Sequence, residues 1–162
     1  RRTIFTDNFS PENKQTKGQQ VNNRWNIRYH IDKDLPGTLA TAFRAEVVQL
    51  DNKSKNVFGS LFFADFGYNF KKSRIKVVAR YTLFNTPDFD SRIYVYENDV
   101  LYAFSIPAMY GRGSRIYAVV TAKPFRRFTV WGKITLEQNE RKTTLDQLNF
   151  SPLGRIQIRY TW

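Results

Sequence analysis

The side chains able to do acid–base chemistry are few. His30 is the only histidine in 162 residues and cysteine is absent, which excludes disulfide scaffolds and Cys/His metal sites. Alternation along a strand would bring Asp32 to the same side as His30. Nucleophilic catalysis needs more: a hydroxyl or thiol beside its base, and a third group that orients the base. Nothing near His30 supplies these, so the residue reads as an inward histidine satisfied by a neighbouring carboxylate. No enzymatic activity, cofactor or metal is expected.

What the chain has in quantity is positive charge and aromatic rings. The formal net charge is +12, and aromatics make up 16% of the residues, with 14 Phe and 9 Tyr. Bases can stack on aromatics while Lys and Arg contact phosphates, provided both kinds of side chain share one exposed face. Here period-two alternation mostly separates them. Arg24, Arg28, Arg74, Arg80, Arg155 and Arg159 fall on the polar side of their segments, opposite the apolar and aromatic residues. A soluble basic β-sheet module that binds nucleic acid is therefore the second reading.

The segments that carry these arginines read as strands. Trp25, Ile27, Tyr29 and Ile31 oppose Arg24, Asn26, Arg28, His30 and Asp32. Ile75, Val77, Ala79, Tyr81 and Leu83 oppose Arg74, Lys76, Val78, Arg80 and Thr82. The same grammar covers 115–123 and 128–137, and it fits 57–69 when Asp65 points inward and Phe58, Phe62, Phe66 and Tyr68 outward. Residues 39–50 satisfy a helical template as well, but their neighbours and short connections favour a strand. Turn-rich junctions at 32–37, 51–55, 69–73, 97–99 and 124–127 make antiparallel neighbours. With Glu97-Asn98-Asp99 dividing 91–106 into two strands, the longer connections 7–23, 84–90 and 138–153 share one side. Short turns on one side and long loops on the other are the asymmetry of transmembrane barrels.

The last nine residues alternate without a break and end on an aromatic. Ile156, Ile158, Tyr160 and Trp162 share one side, and Arg155, Gln157, Arg159 and Thr161 the other. This resembles the closing strand of bacterial outer-membrane β-barrels, and the resemblance implies that Ile158, Tyr160 and Trp162 form a signal read by the barrel-assembly machinery. No apolar run approaches the roughly 20 residues of a helical span, and mean hydropathy is negative. Barrel strands conceal their apolar face in such an average.

A narrower resemblance lies in Arg80-Tyr81-Thr82-Leu83-Phe84-Asn85-Thr86, in Tyr96 to Ser105 and in Tyr110-Gly111-Arg112-Gly113-Ser114-Arg115. These stretches are similar to the carboxyl-terminal barrel region of large Bacteroidota outer-membrane proteins. Such proteins often carry an amino-terminal helix-hairpin-helix domain. That sequence is not found here, so DNA binding is not implied.

The expected fold is all-β, an antiparallel up-and-down transmembrane β-barrel with about ten strands in one segment spanning 1–162. It is expected to be the carboxyl-terminal part of a longer outer-membrane protein, a channel or a structural subunit of a larger envelope complex. Its partners would be outer-membrane lipid and lipopolysaccharide, the assembly machinery, and further strands from the same gene product or a companion chain. Only Arg2–Thr6 is assigned to the first strand, fewer than the roughly 9–11 residues of a full span. Two readings of the inward arginines stay open: an anion-attracting or plug-binding wall, and ion-pair ladders completed by residues elsewhere, since the inward acids Glu46, Asp65 and Glu137 are few. Lys14, Lys17, Arg112, Arg141 and Lys142 are candidates to meet lipopolysaccharide phosphates, or are simply solvated.

Overall fold

The computed structural model describes residues 2–9, 23–35, 38–52, 55–140 and 151–162. The strands are β1 (Arg2–Phe9), β2 (Asn23–Leu35), β3 (Leu39–Asn52), β4 (Lys55–Phe70), β5 (Ile75–Thr86), β6 (Ile93–Tyr94), β7 (Ala108–Met109), β8 (Gly111–Phe125), β9 (Phe128–Asn139) and β10 (Ser151–Tyr160). A 3-10 turn, η1, spans Phe89–Ser91. Eight strands form one sheet in the order β1-β2-β3-β4-β5-β8-β9-β10, and β6 pairs only with β7. Every pairing is antiparallel. Residues 39–50 lie in β3, which resolves the helix-or-strand ambiguity in favour of the strand. Phe43 and Val47 alternate with Arg44, Glu46 and Val48 there, and both neighbouring strands extend the ladder.

The sheet is an open meander among the described residues, with β1 and β10 as its edges. The connections β2–β3, β4–β5 and β8–β9 and the carboxyl terminus lie at one end, where the Thr161 amide donates to the Arg127 carbonyl at 2.9 Å. At the other lie residues 87–110 and the strand ends at Phe9, Asn23, Asn52, Lys55, Asn139 and Ser151. By length, every connection at the first end is short and the long ones all join strand ends at the other, beside the two-residue link between β3 and β4.

The expected cause of this asymmetry does not hold. Residues 91–106 are not two spanning strands. Only Ile93–Tyr94 and Ala108–Met109 pair, an isolated bridge joins Glu97 to Ser105, and the sheet passes directly from β5 to β8. Residues 87–110 form an irregular hairpin lying on one face of the sheet. Period two is preserved, because Ile93, Val95 and Glu97 are buried and Tyr94 and Tyr96 exposed. A hairpin packed on a sheet obeys the same alternation as a strand within one. The first strand also differs, running to Phe9 rather than stopping at Thr6.

The two faces of the sheet are opposite in character. The inner face, toward the hairpin, buries Arg44, Glu46, Arg80, Lys133 and Thr135. The outer face exposes Trp25, Ile27, Phe43, Phe58, Phe62, Tyr81, Ile116, Ile134 and Ile156. A small apolar core, including Val48, Leu61, Phe63, Phe84, Ile93, Val95 and Met109, sits between the hairpin and β3, β4 and β5. Gly59 makes this approach possible. A Cβ there would stand 3.0 Å from the Ser91 carbonyl oxygen.

Candidate functional site

The inner face carries an ion-pair network whose centre is the hairpin. Alternation along β8 and β9 places Arg115, Tyr117, Lys133, Thr135 and Glu137 on that face, and the registers Arg115↔Glu137 and Lys133↔Arg155 align the bases across three strands. Glu97 descends onto them from above. Arg115 donates to it at 2.7 Å through Nε and at 3.2 Å through Nη2, and Lys133 Nζ donates at 3.1 Å. Asp99 accepts from Lys133 Nζ at 3.2 Å and from Arg155 Nη1 at 2.6 Å. Arg115 reaches Glu137 with its remaining arm at 2.5 Å. Asn98, between the two acids, donates its backbone N–H to the Tyr117 hydroxyl at 3.2 Å.

Arg80 anchors the second side of the hairpin. It holds Asp65 bidentately at 2.5 and 2.7 Å and donates through Nη1 to the Tyr96 carbonyl at 2.6 Å. Its guanidinium lies 3.7 Å from the centre of the Phe63 ring, where a cation is attracted by the ring face. Nearer the entry to the hairpin, Arg24 donates to the Asp90 and Arg92 carbonyls at 3.3 and 3.0 Å. Glu46 gathers Asn26, Arg28 and Arg44 in a separate cluster.

The arginines singled out by sequence are thus not equivalent. Arg24 and Arg80 grip hairpin backbone, Arg28 pairs with Glu46, and Arg155 pairs with Asp99. Arg159 stacks 5.4 Å over Trp131. Arg74 lies outside the strand. β5 begins at Ile75, and Arg74 is exposed in the preceding turn with φ 52°, a left-handed conformation that breaks the alternation there. Five acids of this chain meet these bases: Glu97 and Asp99 from the hairpin join Glu46, Asp65 and Glu137. Glu97-Asn98-Asp99 was visible as an acidic turn in a basic chain. That it folds back over the bases was not.

His30 Nε2 stands 4.0 Å from Asp32 Oδ1 and packs edge-on to Phe63. Tyr160 and Trp162 form an exposed aromatic cluster with Phe128 at the short-turn end, and Ile158 is exposed beside them on the outer face. Arg112 is exposed, 3.6 Å from Glu140; Lys14, Lys17, Arg141 and Lys142 lie outside the described residues. A cavity of about 430 Å³ opens below the hairpin tip at the short-turn end, walled by Ala40, Ala42, Asp65, Gly67, Lys76 and Asn98 among others. Chemically the network does one thing: it clamps a backbone segment with charge-assisted hydrogen bonds, which are stronger than neutral ones. The chain matches no protein-family model, no curated protein and no solved structure.

Proposed function

We propose that the chain is part of an integral outer-membrane β-barrel, with its outer face in lipid and its inner face lining an interior occupied by residues 87–110. The observation that carries this is the slant of the apolar band on the outer face. One rung of the ladder runs Ile31↔Phe43↔Ala64↔Tyr81↔Ile116↔Leu136. On β2 it leaves the band at its lower border, for the next outward residue toward the short turns is exposed Lys33. On β9 it meets the upper border, for Gln138 and Glu140 follow. The band descends by roughly 26 Å of strand, at ~3.3 Å per residue, across five inter-strand spacings totalling roughly 24 Å. Strands crossing a level apolar slab would then tilt by roughly 45°, the tilt at which barrel strands cross a bilayer.

Other features agree. The strands from β2 to β5 and from β8 to β10 are 10 to 16 residues long, enough for the roughly 9–11 that span a bilayer at this tilt. Aromatic rings cluster at the short-turn border of the band, in Phe125, Phe128, Tyr160 and Trp162. Outer-membrane lipid, lipopolysaccharide at the long-connection end and the barrel-assembly machinery at the last strand are the partners this reading names. The resemblance to Bacteroidota barrels supplies its source group. Channel or structural subunit is the role, and no enzymatic role is proposed.

Gly132 gives a clean test. It faces outward in mid-band, and a Cβ there would meet nothing within 4 Å. In bilayers, Gly132→Lys is expected to cost about 2–4 kcal/mol, against about 0–1 for Phe128→Lys at the border, while Gly132→Leu is tolerated. Urea titrations of the protein in lipid vesicles measure this. A Gly132→Lys protein more stable and more soluble than Gly132→Leu in detergent-free buffer, with tight and steeply salt-dependent binding of single-stranded nucleic acid, would establish the soluble alternative instead.

A further inference from the structure

Resting on the barrel reading, we infer that the interior is enclosed only with additional transmembrane strands, even in number and acidic on their inward side, which seat against β10 and cover the exposed side of the 87–110 hairpin. That side is aromatic. Tyr94, Tyr96, Tyr102, Phe104 and Ile106 point away from the sheet, Tyr102 at 87% and Phe104 at 75% exposure. Tyr96 and Phe104 touch, their ring centres 5.6 Å apart, and exposed apolar side chains gathered on one side of a hairpin mark a surface that something covers. The bilayer does not, because the hairpin lies on the face opposite the lipid-facing band.

The eight strands of this sheet cannot cover it by curling until β1 meets β10. An eight-stranded barrel has an interior that side chains alone fill, whereas here a backbone hairpin already lies on the inner face. Packed layers lie ~10 Å apart, so a hairpin with a wall on each side needs roughly 20 Å between opposite walls. The ring must therefore exceed eight strands. Direction fixes the parity: β1 runs toward the long-connection end and β10 away from it, so only an even number of added strands keeps every pairing antiparallel.

Charge fixes the chemistry. At the β10 edge, inward Arg155 is shared with Asp99, which also serves Lys133, and Arg159 has an aromatic ring but no acid among the described residues. A second copy of β10 would bring two more inward arginines to that edge, so the fitting partner is a strand with Asp or Glu at its inward positions. Open edges are not tolerated in hydrocarbon, since each unpaired backbone group costs several kcal/mol.

Gln157, inward on β10, is the position to probe. Gln157→p-benzoylphenylalanine in the protein of native envelopes, irradiated and then mapped by mass spectrometry, is expected to capture a peptide outside residues 1–162 that alternates apolar and polar residues and carries inward acids. The mass of the product then shows whether those strands share this polypeptide. Capture of Arg2–Phe9 in the same molecule, a dimer of two copies, or no product at all would overturn the inference. Impermeant-maleimide labelling of an Ile156→Cys protein in the same envelopes is the separate control. Full labelling there would defeat the membrane reading itself, while protection together with capture of β1 would defeat only the added strands.

Discussion

The two ends of the inner face hold the same hairpin by different physics. Toward the long connections, Val48, Leu61, Phe84, Ile93, Val95 and Met109 exclude water in a dry contact. Toward the short turns the wall is built from Ala40, Ala42 and Gly67, a cavity of about 430 Å³ remains, and the hairpin tip is held by the ion pairs of Glu97 and Asp99 and by hydrogen bonds from Asn98 to Tyr117 and from Arg80 to the Tyr96 carbonyl. Burial is non-directional and tolerates small shifts, whereas a bidentate or shared ion pair fixes register and orientation. The apolar end thus supplies adhesion and the charged end supplies position.

Breaking the charged end is expected to cost most. Glu97 is fully buried and serves two bases, so Glu97→Gln leaves Arg115 and Lys133 undercompensated, at about 3–5 kcal/mol. The measurement is the urea concentration at which trypsin begins to cut within 87–110, and an unchanged midpoint would show that Glu97 does not hold the tip. At the apolar end, Ile93→Ala removes a buried side chain from the core and should cost about 2–4 kcal/mol. It should loosen the hairpin without changing which peptide is cut first. The smallest effect is expected outside both ends. Arg74 is exposed at φ 52°, where glycine carries no Cβ penalty, so Arg74→Gly should leave stability within about 1 kcal/mol of the parent and shift it upward if at all. A large loss would mean that Arg74 works on the inner face after all.

Much of the sheet was legible before the structure, and the reason is visible in particular strands. In β9 the outward set Phe128, Val130, Gly132, Ile134 and Leu136 and the inward set Thr129, Trp131, Lys133, Thr135 and Glu137 stand as the alternation implied. Period two is a local property, and one strand suffices to read it. Residues 91–106 show its limit. Alternation records that one side is buried and not which partner buries it, so a hairpin lying on the sheet was indistinguishable from two strands within it. Glu97 could not be recognised as the centre of the network for the same reason, since the bases it meets lie 18 and 36 residues away. The slanted band was illegible too, because it exists only across registers that join six strands.

Direct pairing of β5 with β8 across the hairpin also shapes how the sheet assembles. The neighbouring connections 71–74 and 126–127 close at little entropic cost, but the stretch between Thr86 and Gly111 is several doublings longer, and each doubling adds about 0.6 kcal/mol to the cost of closure. Strands β2 to β5 and β8 to β10 can each zip locally, while the seam between them waits until Ser91 is seated over Gly59 and Glu97 has found Arg115. Contacts made early at that seam therefore govern the folding rate, whereas those made late govern only how long the folded sheet survives. The hairpin on the inner face is thereby also the slow step in forming the sheet beneath it.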